Sequence, residues 1–229
     1  MPRFSAPEDR STLQRDVLVT GGTGYIGTRL VTALFSRGHS VRVLTRAGSA
    51  HRVAAGAAAV IADVLDESSV AGALRPGDTI VHPVGTPHAN PSKAEEFRRV
   101  DLASLQAVAA AGQSVGAGHL VYVSVAQPAP VMRAYVAARA EGEEAIRRSG
   151  LTATLLRPWY VIDPGHLSPG ILIPFYALAA LVPWWREGAR RLGLVTLSRM
   201  VAALVHAVER PPRCGEVRVV DVTGIRAAR

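Results

Sequence analysis

The sequence predicts an α/β fold, a doubly wound parallel sheet with a small C-terminal lobe, and three observations carry that expectation. Short β-branched runs alternate with longer segments of helical periodicity. Each run is apolar on both faces, as a central parallel strand must be. A glycine-rich turn, Gly21 to Gly27, follows the first run and opens the first helix.

Taken in order, strands are expected at Val17 to Thr20, Ser40 to Thr45, Ala59 to Ala62, Thr79 to Val84, His119 to Ser124 and Leu151 to Leu156. Helices are expected between them, at Tyr25 to Ser36, Glu67 to Leu74, Lys93 to Ala111 and Ala134 to Ser149. Gly38, Gly77, Gly118 and Gly150 each stand just before the next strand, where a helix stop belongs. Right-handed crossovers then put the ligand crevice at the carboxyl ends of the strands. After Arg157 the alternation ceases, and Pro158, Pro164, Pro169, Pro174 and Pro183 punctuate loops and short helices. A last helix, Ser198 to Glu209, and a last strand, Glu216 to Asp221, are expected to rejoin the sheet. Residues 1–15 are thus expected as a flexible tail and 16–229 as a single domain, with 158–197 forming a small substrate lobe.

Composition narrows the function. With 48% hydrophobic and 19% charged residues, the 229-residue chain is a folded domain rather than a disordered one. The net charge of +8 raises nucleic acid as a partner, but the basic residues are scattered, as in Arg98-Arg99, Arg147-Arg148 and Arg190-Arg191. No basic face interleaved with aromatics appears, so an anionic cofactor is the simpler partner. The lone Cys214 excludes an internal disulfide and a CxxC site. The polar N-terminus does not read as a signal peptide, and a cytoplasmic location is expected. Ile171 to Trp185 is almost wholly apolar, but it has 15 residues where a span needs about 20. It reads as a buried helix or pocket wall, with contact at a membrane surface left open. His51, His88 and His166 show no metal-ligand spacing, and no metal is expected.

The glycine turn carries the chemistry. In Gly21-Gly22-Thr23-Gly24-Tyr25-Ile26-Gly27, Gly21 permits a tight turn and Gly24 lets the backbone approach a pyrophosphate. Gly27 lets the helix pack closely on the strand. The helix N-terminus offers free N–H groups and the positive end of its dipole to the phosphates.

These residues resemble the short-chain dehydrogenase/reductase superfamily, in its extended and atypical (NmrA-like) branches, of which TGGTGYIG is a typical glycine motif. The resemblance implies a Rossmann fold, and it continues along most of the chain. Asp63, followed by Val64 in IADVLD, resembles the family's aspartate at the adenine ring. DTIVHPVG resembles the fourth strand and the loop of Pro83, Val84 and Gly85 that lines the cofactor. LVYVSV resembles the fifth strand, with Ser124 as the active-site serine. YVAARAEGEEAIRRSGLTATLLRP resembles the atypical branch's run from the tyrosine helix to Leu-Arg-Pro, where Arg157 and Pro158 border the nicotinamide end.

At the end of the second strand an NAD enzyme wants an acid for the ribose 2′-hydroxyl. Here Arg46 stands instead, able to take a 2′-phosphate bidentately, which favours NADP(H) over NAD(H). The resemblance implies Tyr135 as the proton-transferring tyrosine. Arg139, four residues on and on the same helix face, stands where the family has a lysine. Arginine keeps the positive charge but is planar and never deprotonated, so the ribose contact of a lysine does not carry over directly. His82, at the end of the fourth strand, reads as a packing residue.

The expected function is therefore an NADP(H)-dependent oxidoreductase acting on a small, apolar carbonyl, enone or quinone-like molecule. A non-catalytic NAD(P)(H)-binding sensor or assembly factor is the alternative that the missing lysine favours. A nucleotide-sugar epimerase or dehydratase shares the glycine motif, but the C-terminal part is short for such a substrate. Oligomeric state is left open.

Overall fold

The computed structural model describes residues 14–87, 89–129, 132–162 and 193–228. The chain alternates β1 (Asp16–Thr20), α1 (Tyr25–Ser36), β2 (Ser40–Thr45), β3 (Ala58–Ile61), α2 (Glu67–Ala73) and β4 (Thr79–His82). It continues with α3 (Ala94–Glu96), α4 (Ala103–Val115), β5 (His119–Val123), α5 (Arg133–Ser149) and β6 (Ala153–Leu156). The short strands β7 (Tyr160–Ile162) and β8 (Leu194–Thr196) pair in parallel as a separate ribbon. Then α6 (Leu197–Glu209), β9 (Val217–Val220) and α7 (Val222–Ala227) return to the main layer. The apolar run Ile171 to Trp185 and most of the expected lobe lie outside the described residues, as do His88 and His166.

Seven parallel strands form one sheet in the order β3-β2-β1-β4-β5-β6-β9. This is the doubly wound sheet that the alternation predicts, with the last strand added at the β6 edge. The reversal of direction falls between β1 and β4, which opens a crevice at their carboxyl ends. The alternating sides of β1 feed two cores: Val17 and Val19 pack with Leu30, Val31 and Leu34 of α1, while Leu18 packs with Ile80, Leu105, Leu120 and Ile146. Because both faces are covered, the strand has no polar side, which is why its sequence reads as an uninterrupted apolar run.

Helix ends follow local chemistry. Asp66 caps α2 by accepting from the Ser69 N–H at 2.8 Å, and Gly38 and Gly150 end α1 and α5 in left-handed conformations. The third expected helix, Lys93 to Ala111, departs from expectation. It runs on to Val115, and Gly116 (φ +77°) is its left-handed cap, so Gly118 is freed for a close approach to the Gly77 carbonyl. Between α3 and α4, Phe97–Leu102 form a π-helical turn, for which the sequence carries no signal.

An ion pair is buried at the amino-terminal edge of the sheet. Arg42 of β2 pairs with Asp78, which also accepts from the Arg75 N–H at 2.6 Å, and Arg42 donates to the Ala73 carbonyl at 2.6 Å. The pair ties β2 to the turn before β4. Removing one partner leaves the other charge buried and uncompensated, so Asp78→Ala should cost about 3–5 kcal/mol of stability. Urea unfolding of the two proteins measures this.

Candidate active site

The crevice begins at the glycine turn. Gly21 lies at φ +67°, a conformation that side chains strain to adopt, and its carbonyl accepts from the Gly24 N–H at 3.0 Å. A Cβ on Gly27 would overlap the Gly21 carbonyl oxygen and press on the Gly22 Cα, so α1 can start this close to β1 only with glycine there. The first turn of α1 has no side-chain cap and no acidic residue. Its amides therefore face the crevice with the positive end of the helix dipole, which fits a pyrophosphate. Thr23, Tyr25 and Ile26 complete this turn. Arg52, which sequence reasoning passed over, donates to the Thr23 carbonyl at 2.8 Å from the end of a 3₁₀ helix (Ala47–Arg52).

Around this turn stand the other cofactor candidates. Arg46 is exposed at the end of β2, and its carbonyl accepts from the Ser49 N–H at 2.9 Å. Asp63 follows β3, with its carboxylate accepting from the Leu65 N–H at 3.0 Å and Val64 packed on the core beneath. Pro83, Val84 and Gly85 follow β4, and Val84 comes up against Gly21. A Cβ on Gly85 would strike the Arg139 guanidinium, so this glycine makes room for the arginine.

Helix α5 brings Tyr135 and Arg139 together. The Tyr135 ring lies edge-on to Phe97 at 5.0 Å, and the Arg139 guanidinium carbon sits 5.2 Å from its centroid. Arg139 is buried beneath the crevice floor. One terminal nitrogen donates to the Val123 carbonyl at 2.9 Å and the Tyr122 hydroxyl at 3.2 Å. The other donates to Asp101 at 2.6 Å and the Val84 carbonyl at 3.1 Å. Asp101 also accepts from the backbone and hydroxyl of Thr86, at 2.9 and 2.6 Å. Burial disfavours the guanidinium charge, but the neighbouring Tyr122, Tyr135 and Asp101 outweigh it and raise the Arg139 pKa. The same burial pushes the Tyr122 phenol up to about 12. The arginine is thus a charged strut between the ends of β4, β5 and the π turn, with only its Nε–H outside these bonds.

Ser124 belongs to a second cluster. Its hydroxyl donates to Glu143 at 2.6 Å, and the same carboxylate accepts from Gln127 at 2.9 Å and Arg147 at 3.1 Å. Arg157 grips it with two N–H groups, at 2.9 and 2.5 Å. Burial works to raise the Glu143 pKa; the hydrogen bonds from Arg157 and Ser124 overcome it and hold the carboxyl below its ordinary value. Pro158, next along the chain, accepts from the Ala126 N–H at 2.8 Å. Sequence reasoning missed both acids. Glu143 had a signal, since it lies one turn beyond Arg139 on the face that carries Gly142 and Ile146, where apolar residues belong. Asp101 had none, because the π turn aims it inward.

His82 is buried and neutral. It shares hydrogens with Thr20 at 2.7 Å and Ser104 at 3.3 Å, and burial, aided by Arg139, lowers its pKa to about 3. Burial likewise lowers His119 to about 4. Unfolded histidines take up protons near pH 6.5 while the folded ones refuse them. The contribution of these histidines to stability should therefore fall as pH drops below about 6.5 and level off below both folded values, where loss of the Glu143 carboxylate takes over. Urea midpoints measured against pH should show this slope, made shallower by His119→Gln. Glu143→Ala, which strands Arg157 beside Ser124, should cost about 3–5 kcal/mol in the same assay at neutral pH.

Among the described residues no helix is long and apolar enough to cross a membrane. Residues 21–171 match the NAD(P)H-binding family. A ceramide reductase of Caulobacter vibrioides (strain NA1000 / CB15N) is 28% identical over 90% of this chain and 64% of its own length. This chain thus spans less than two thirds of that relative. A 3-diazoavenalumate denitrifying reductase of a Streptomyces species is 30% identical over 84% of this chain and 72% of its own. Among solved structures, UDP-N-acetylglucosamine 4-epimerase from Bacillus cereus superposes with a TM-score of 0.68 at 17% identity, over 91% of this chain and 79% of that one. That likeness is one of fold. The chain belongs to the NAD(P)H-binding family, within the short-chain dehydrogenase/reductase superfamily.

Proposed function

We propose that this protein is an NADP(H)-dependent oxidoreductase that interconverts a carbonyl and an alcohol, or reduces an enone or quinone-like group, on a substrate with an apolar body. The observation that carries the reading is the joining of two things at one crevice. The uncapped N-terminus of α1 fits a pyrophosphate, and Tyr135 stands over a buried cation at the carboxyl ends of β4 and β5. When bound, the nicotinamide supplies or accepts the hydride. Tyr135 gives or takes the proton, oriented by Phe97 and by the Arg139 guanidinium stacked on its ring. Asp101 neutralises that cation and fixes its guanidinium in place. Ser124 orients the substrate oxygen, and its proton must first leave Glu143 before the hydroxyl can donate to a carbonyl.

Arg46 supports NADP(H), since an exposed guanidinium stands where a 2′-hydroxyl would call for an acid. Asp63 and Val64 would border the adenine, Pro83 to Gly85 the ribose side, and Arg157 with Pro158 the nicotinamide end. Two reductases among the relatives support the reductive direction. The commitment of four Arg139 donor contacts to protein partners favours a second reading, a non-catalytic NADP(H) sensor.

Fluorescence titration should find NADPH bound more tightly than NADH, and Arg46→Ala should weaken NADPH by about tenfold or more, the worth of a lost charge-assisted hydrogen bond. Equal affinities would remove the NADP(H) assignment. In turnover assays across aldehydes, ketones and quinones, Tyr135→Phe should slow the reaction by about 10²–10⁴. No turnover by the unaltered chain would leave the sensor.

A further inference from the structure

Beside this centre opens a cavity of about 470 Å³, lined among the described residues by the apolar Pro128, Ala129, Val136 and Ala137 together with Gln127, Arg133 and Arg157. Among the described residues no acidic side chain lines it. Glu143, the nearby carboxylate, lies behind Arg157 with its side chain 1% exposed, and Ser124, Gln127, Arg147 and Arg157 already fill its acceptor positions. Its single negative charge is set against two arginines there, Arg147 and Arg157. The Arg157 guanidinium gives Nε and one terminal nitrogen to Glu143, which leaves its other terminal nitrogen for a ligand, on a side chain 23% exposed.

Arg133 adds a third positive charge at the mouth. It is exposed and makes no hydrogen bond or ion pair with the described residues. It is also the first residue of α5, a 17-residue helix with no side-chain cap and no acid in its first turn. The positive end of that helix dipole therefore adds to the two guanidinium groups. Local charge is strongly positive, while the other described lining residues except Gln127 are apolar.

We propose that this cavity is a subsite for an anionic group, carboxylate or phosphate, carried by the substrate in addition to its reacting carbonyl. Arg133 and the outer edge of Arg157 hold the anion, and Pro128, Val136 and Ala137 cover the carbon chain beside it. The inference deepens the oxidoreductase reading and rests on it for the substrate's reacting end, but anion binding can be measured without turnover.

The full chain, saturated with NADPH to occupy the glycine turn, is titrated calorimetrically with inorganic phosphate and, separately, with hexanoate. Saturable binding of at least one anion is expected, weakening as salt rises and at least tenfold weaker in Arg133→Glu. The two titrations separate a phosphate site from a carboxylate site. In turnover assays, the preference in kcat/KM for 4-carboxybenzaldehyde over benzaldehyde should fall at least tenfold in Arg133→Glu. NADPH affinity and thermal unfolding of the variant certify its fold. No saturable binding of either anion, or equal binding by Arg133→Glu, overturns the subsite. Anion binding that depends on Arg133, with no turnover of either aldehyde, supports the subsite and overturns the enzymatic reading instead.

Discussion

Helix α5 docks on the sheet through charge, and the crevice floor depends on how that charge is neutralised. Arg139 and Glu143 stand one turn apart on its buried face, between Ala138, Gly142 and Ile146. Unpaired, either would make the docking prohibitive. Arg139 is met by Asp101, and Glu143 by Arg157. A Cβ on Gly142 would come within 2.5 Å of Leu105, so the helix lies close enough for both pairs to close. Each pair also reaches across strand ends: the first binds the ends of β4 and β5, and the second binds the end of β5 to that of β6.

This arrangement bears on what an arginine can do in a lysine's place. A lysine ammonium is a compact point charge with donors that swing toward a ligand. The planar fork of Arg139 is instead spread over two carbonyls, a phenol and a carboxylate. It lends the crevice positive potential from below, and it is fixed by the same contacts. The π turn that carries Asp101 also carries Phe97, which packs on Tyr135. One irregular helical turn therefore places both the counter-charge of the arginine and the ring that orients the tyrosine.

At the opposite side of the crevice, order comes from backbone rather than charge. The overlap that any Cβ at Gly27 would meet defines how near α1 starts to β1, and that nearness leaves amides free at the carboxyl end of the strand. Arg52 then links the 3₁₀ helix after β2 to the Thr23 carbonyl. The glycine turn is thus braced from the neighbouring loop as well as from its own hydrogen bonds.

The sequence by itself determined the architecture. Apolar runs such as Val17 to Val19 can be satisfied only by covering both faces of a parallel sheet, and the spacing of Gly21, Gly24 and Gly27 marks a strand-to-helix turn wherever it occurs in such a chain. These are local or periodic constraints, so they can be read without coordinates. Tertiary structure alone decided which charges meet. Asp101 lies 38 residues from Arg139 and is aimed at it by a π turn that has no compositional mark. Glu143 lies 19 residues from Ser124, in a run where it passes for one acid among several. Whether a buried charge is a strut or a ligand depends on partners distant in the chain, and only the folded geometry brings those partners within hydrogen-bonding distance.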